Sequence, residues 1–171
     1  MYKSVEIKSN MNPEYKSILQ KAKSSKKKLK QGLDSLMKLK NVEVDEFFHT
    51  AHNEVFAKVD CLQCANCCKT TSPIFEQDDI DRISKSMKLT VGNFITNYLQ
   101  MDEDGDFVLH SSPCTFLNED NTCDIYDVRP KACAEYPHTN RKKMKEILDI
   151  TFENALICPA VSSIVDRIKL G

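Results

Sequence analysis

Four thiols fall within eight residues of this chain, in Cys61-Leu62-Gln63-Cys64-Ala65-Asn66-Cys67-Cys68. A C-x-x-C step turns the chain back on itself, so its two sulfurs can converge on one ion or cluster. Two such steps overlap here and run into an adjacent pair. Neighbouring side chains on an extended backbone point apart. Cys67 and Cys68 are therefore expected to serve two sites, or to supply one ligand and one thiol beside it. Four more cysteines follow, at Cys114, Cys123, Cys133 and Cys158. They are too far apart in the chain to share a turn, so the fold has to bring them together. All eight are candidate metal ligands.

Eight thiolates satisfy two tetrahedral zinc ions, or one [4Fe–4S] cluster with four thiols to spare, or a cluster plus a zinc. The even spacing of Cys61, Cys64 and Cys67 matches the bacterial ferredoxin run, and Cys158-Pro159 matches its remote Cys-Pro ligand. Zinc more often pairs two C-x-x-C knuckles across a longer loop, and only one such region exists here. The residues favour an iron–sulfur cluster, with zinc as the alternative. Arg129 and Tyr126 are the candidate non-ligands at the cofactor: an arginine there can donate to thiolate sulfur and offset the negative charge of the site. The competing role for Arg129 is structural, satisfying carbonyls before Pro130. His49 and His52, three apart on one helix face, and His110 and His138, which flank cysteine segments, are weaker ligand candidates. Asp79, Asp81 and Asp127 read as helix-start or surface carboxylates. No nucleophile–base pair stands out, so no reaction is read from the chain.

Composition narrows the class. The chain has 171 residues, 29% of them charged, and a net charge of -1. That fits one domain with an extension and gives no global pull toward nucleic acid or membrane. No apolar run approaches the roughly 18 residues of a membrane span. The first residues carry no apolar signal core, which points to the cytoplasm, where structural disulfides are rare. Eight cysteines in 171 residues also fall below the roughly 8–10% of disulfide scaffolds. The glycines Gly32, Gly92, Gly105 and Gly171 form no phosphate-binding loop. Residues 1–40 hold 11 Lys against Glu6, Glu14 and Asp34, a balance of 11 − 3 = +8 without a single Arg. With few aromatics beside Tyr15, this reads as a solvated helix face rather than a nucleic-acid surface.

The positioning elements are mostly helices. Residues 1–12 read as loose and polar, and Pro13 suits a first helical turn. Tyr15, Ile18, Leu19, Ala22, Leu29, Leu33 and Leu36 recur at helical spacing, thinning at Ser25 and Lys26. A second helix over 43–58 carries Val44, Phe47, Phe48, Ala51 and Val55, and pairing of the two as a hairpin is expected. Acidic residues 76–79 open a helix with Ile80, Ile83 and Met87 inward. Thr90 caps the next, with Phe94, Ile95, Tyr98 and Leu99 buried. Asp104-Gly105 predicts a tight turn into a strand over 107–110. Residues 141–157 are ambiguous between helix and strand. Pro159 opens a last helix with Val161, Ile164, Val165 and Ile168 on its apolar face.

The ordered set C-x-x-C-x-x-C-C, Pro113-Cys114-x-Phe116-Leu117, Cys123-x-Ile125-Tyr126, Arg129-Pro130-x-x-Cys133, Tyr136-Pro137 and Cys158-Pro159 resembles the YkgJ-like cysteine-cluster family, also called the CxxCxxCC domain. The resemblance covers roughly 61–160. It departs at Ala134, where the family usually has a basic residue. It implies a zinc- or iron-chelating centre, often proposed to be iron–sulfur, and no defined reaction. A similar cysteine pattern appears in flagellin lysine methylases, an activity not carried over here. The expected protein is mainly α, with a basic helical extension over 1–58. A small, metal-stabilised, loop-rich domain with short β segments then spans 59–171. Its expected function is redox or electron transfer with a protein partner. The alternatives are a zinc-stabilised interaction module and a protein that chelates iron or zinc.

Overall fold

A computed structural model describes residues 11–169. The expectation of a loose segment over 1–12 lies almost wholly outside the described residues. Two apolar cores organise the described chain, and the cysteine segments run between them.

The first core joins early and late segments of the described chain. Helix α1 (Pro13–Ser24) starts where Asn12 Oδ1 accepts from the Glu14 amide at 2.9 Å, with Pro13 at the position whose missing N–H needs no partner. The apolar stripe breaks at Ser25, as its thinning predicts, and resumes in α2 (Lys26–Leu36). Helix α3 (Asn41–Phe56) opens with the Lys40 amide donating to Glu43 Oε2 at 2.7 Å. The ambiguous stretch resolves as a 3-10 turn, Met144–Ile147, leading into helix α8 (Leu148–Ala155), and α9 (Pro159–Val165) follows with proline at its start. (The helices α4 to α7 belong to the middle of the chain.) The predicted hairpin gives way to a different partnership. Helices α1 and α3 lie against α9, and α2 lies against α8. The reason is in α9, where Pro159, Ala160, Val161, Ile164 and Val165 are all buried. A helix apolar on most sides needs partners on several sides. Leu33, Val44, Phe48, Val161 and Ile164 form the fully buried centre of this core. Gly32 allows the approach of Ile168, whose Cγ2 lies 3.5 Å from the point a Cβ would occupy.

The second core sits under the middle of the chain. Helix α5 (Gln77–Ser86) buries Ile80 and Ile83, and α6 (Val91–Tyr98) buries Phe94 behind a Thr90 cap that accepts from the Asn93 amide at 3.2 Å. Strands β1 (Leu99–Met101) and β2 (Phe107–Leu109) pair antiparallel with Leu99 opposite Leu109. Asp102 Oδ1 accepts from the amides of Asp104 and Asp106, at 3.0 and 2.9 Å, and Gly105 takes φ +87°, so the acidic loop is a turn held by its own carboxylate. Phe94, Tyr98 and Phe116 pack together in this core with ring centroids 5.2–6.4 Å apart. The described chain is mainly helical, with this hairpin as its sheet. Among the described residues no helix is long and apolar enough to cross a membrane.

Candidate metal centre

The cysteine run is built from two tight turns. Cys61–Gln63 is a 3-10 turn begun by Asp60, whose Oδ1 accepts from the Leu62 amide at 2.9 Å. Ala65 then takes a left-handed conformation, φ +48°, and the short helix α4 (Asn66–Thr70) carries Cys67 and Cys68. The pair is therefore helical rather than extended. Consecutive helical side chains diverge by about 100° instead of facing opposite ways, and the Cys67 and Cys68 sulfurs end 3.9 Å apart. All eight cysteines are free thiols; Cys64 is buried, and Cys61 and Cys133 are exposed as residues.

Hydrogen bonds from the fold then tether distant cysteines to this run. Asn66 Nδ2 donates to the Ile157 carbonyl at 2.7 Å, which fixes the Cys158 segment beside α4. The Cys114 amide donates to the Cys68 carbonyl at 2.8 Å. Leu117 and Cys123 face each other across an isolated β-bridge. Cys114 and Cys123 pack against the second core, whereas Cys158 packs against the first. Cys133 lies on α7 (Lys131–Glu135).

Helix α7 is anchored by Asp79. That carboxylate is only 2% exposed. It accepts from the amide of Lys131 at 3.0 Å, from the Glu76 amide at 3.1 Å and from Arg82 Nη2 at 2.6 Å. Arg82 also donates to the Arg129 carbonyl at 2.9 Å. Asp79 does start its helix, as its position predicts, and it also joins α5 to α7.

The thiols perturb one another. Burial pushes Cys158 up to about 11, with Cys64 and Cys61 adding to the rise. Cys114 is pushed up to about 11 by burial, then by Cys68 and Cys123. Desolvation of its sulfur raises Cys133 to about 12 although the residue as a whole is exposed; Cys68, Cys114 and Cys123 add to it and Arg129 opposes it. Cys61, Cys64 and Cys123 are also raised, chiefly by burial. Within the adjacent pair, whose sulfurs share a hydrogen-bonded contact, the Cys68 thiol is pushed down, with further help from Lys69.

Two side chains beside the sulfurs stand out. Tyr136 has its hydroxyl buried without a hydrogen-bond partner among the described residues. Burial raises its pKa, and Cys158, Cys67, Cys64 and Cys61 raise it further. In the sequence this residue stands only as the first half of Tyr136-Pro137, and its one signal is a phenol within a cysteine-rich stretch. Arg129 lies 4.0 Å over the Tyr126 ring, donates to the Tyr126 carbonyl at 2.7 Å, and slightly opposes the rise that burial imposes on Cys123 and Cys133. Tyr126 itself is 59% exposed.

The histidines have other partners. His49 bonds the Arg141 carbonyl and His52 bonds Thr139 Oγ1, each at 2.8 Å. His110 faces the Thr96 carbonyl at 3.3 Å, and His138 lies 3.9 Å from Glu135. Among the described residues no three His, Cys, Asp or Glu side chains already meet at single-ion distance. The thiols are gathered in one region without being closed on one point.

A family model, CxxCxxCC, described as "Putative zinc- or iron-chelating domain", matches residues 60–151. No curated protein and no solved structure gave a match.

Proposed function

This chain belongs to the CxxCxxCC family, and on that premise we propose that it is a metal-binding protein whose thiolates hold an iron–sulfur cluster used in electron transfer. The observation that carries this reading is the tether from Asn66 to the Ile157 carbonyl. It brings Cys158-Pro159 to the evenly spaced Cys61, Cys64 and Cys67, the ligand pattern of a ferredoxin-type [4Fe–4S] site. The donor set fits such a group: four thiols of one neighbourhood, and a buried phenol hydroxyl with no other partner among the described residues to which it could donate. A bound cluster supplies a one-electron couple. The chain's own residues hold it and tune it. Tyr136 donates toward thiolate sulfur, Lys69 and Arg129 offset negative charge, and the first core keeps water from Cys158.

The organisation supports a division of labour, with residues 59–171 carrying the metal and the helices of residues 1–58 bracing it. Those helices reach the Cys158 segment through α9. Zinc is the second reading, because the family description covers zinc as well as iron.

Anaerobic purification with visible absorption and elemental analysis tests the proposal. Brown protein with sulfur-to-iron charge-transfer absorption and near-equal iron and sulfide supports it. Colourless protein that carries only zinc refutes the iron–sulfur and electron-transfer reading and leaves a zinc-stabilised module.

A further inference from the structure

We propose that the eight thiols form two separate four-thiolate centres, Cys61, Cys64, Cys67 and Cys158 in one, and Cys68, Cys114, Cys123 and Cys133 in the other. The inference rests on the metal-binding reading above and goes beyond it, since it assigns each of the eight thiols to one of two centres.

The division follows from what each cysteine is tied to. Cys158 belongs to the first core and is held beside α4 through Asn66, the residue preceding Cys67. Cys114 and Cys123 belong to the second core, and Cys114 is bonded through its amide to the carbonyl of Cys68. Cys133 follows them because α7 is fixed to α5, an element of that same core, through Asp79. The two cores thus hold different thiols, and the break falls between Cys67 and Cys68. Helical divergence of these neighbours lets one serve each side, with their sulfurs 3.9 Å apart.

A four-thiolate set takes either a zinc ion or an iron–sulfur cluster, and the two centres meet where the Cys67 and Cys68 sulfurs lie side by side.

The test uses the full chain, loaded anaerobically with iron and sulfide in one series and with zinc in another. Two double variants are compared with the wild type, Cys64→Ser with Cys158→Ser, and Cys114→Ser with Cys133→Ser. Iron, sulfide and zinc are counted per chain, and helical circular dichroism reports folding. The expected result is that each variant loses the metal of one centre and keeps that of the other. Which element each variant retains identifies zinc or cluster at each centre. A folded variant of either kind that loses all metal, or a Cys114/Cys133 variant that loses none, overturns the division. Should a variant not fold, wild-type protein is stripped with increasing chelator and alkylated, and modified cysteines are mapped by mass spectrometry. Two groups becoming reactive in separate steps, divided between Cys67 and Cys68, support the proposal. All eight becoming reactive in one step overturns it while leaving the metal-binding reading intact. Wild-type protein that takes up no metal in either series overturns both.

Discussion

Removing the Asp79 carboxylate is expected to loosen the whole cysteine region. In Asp79→Ala, the Lys131 and Glu76 amides lose the acceptor they hold at 3.0 and 3.1 Å. An unsatisfied buried donor costs about 1–3 kcal/mol; both amides sit at helix starts that water can partly reach, so about 1 kcal/mol each is the fitting value. Arg82 loses a 2.6 Å ion pair, but its side chain is 42% exposed. It keeps its bond to the Arg129 carbonyl, which limits that loss to about 1 kcal/mol. The sum is about 3 kcal/mol. Urea unfolding at saturating metal, followed by helical circular dichroism, reads this directly. With a slope of about 1–3 kcal/mol per molar urea, the midpoint falls by at least about 1 M. Asp79→Asn, which keeps the shape and one acceptor, loses about half as much. An Asp79→Ala protein within about 0.5 kcal/mol of wild type would refute the view that this carboxylate fastens α7 to α5.

Tyr136→Phe acts in opposite directions in two states. It removes a buried hydroxyl that has no partner among the described residues. The metal-free protein therefore gains about 1 kcal/mol, while the loaded protein releases metal to a chelator faster; a variant slower to release metal contradicts the donor role. Gly32→Ala is expected to stabilise by about 0.5–1 kcal/mol, because the added Cβ meets Ile168 at an ordinary 3.5 Å; a drop in melting temperature would show that α2 is packed more tightly than this. Burial lowers the His52 pKa, so the folded state resists protonation. Stability is then full above the unfolded value of about 6.5 and falls as pH drops below it toward the folded pKa. His52→Gln should flatten the slope of stability between pH 7.5 and 5.5. Proton competition at the thiolates is common to both proteins and cancels in the difference, so identical slopes would exclude the histidine contribution. Serine at Cys61, Cys64 or Cys67 should lower bound metal, and unchanged content in all three would remove that run from the ligand set.

Much of the local structure is legible from the chain. Pro13, Thr90 and Pro159 mark helix starts through chemistry that acts within a few residues, and the stripe through Leu33 and Leu36 shows which face turns inward. What a stripe does not carry is the identity of its partner. The hairpin expected of the first helices and the actual packing of α1 and α3 on α9 bury the same residues, so periodicity alone does not separate them. Asp79 is half legible for the same reason: its bond to Glu76 is local, and its bond to Lys131 spans 52 positions. The histidines illustrate the converse. His49 and His52 do lie on one helix, but each is taken up by a backbone or hydroxyl group more than 80 residues away. The extended geometry assumed for Cys67 and Cys68 fails because Ala65 reverses the chain and starts a helix beneath them.

The first core is made of early and late segments of the described chain, and this sets an order of events in time. A ribosome delivers α1 to α3 and the cysteine run long before α8 and α9, which complete the core. With roughly 90 residues between Cys67 and Cys158, at about 5–20 residues per second, the early thiols spend some seconds without their tethered partner. Cys68, Cys114, Cys123 and Cys133 are all present before Cys158 is made. On the division proposed above, the set of Cys68, Cys114, Cys123 and Cys133 is therefore complete first, and the late segment with Cys158 joins the run of early cysteines last.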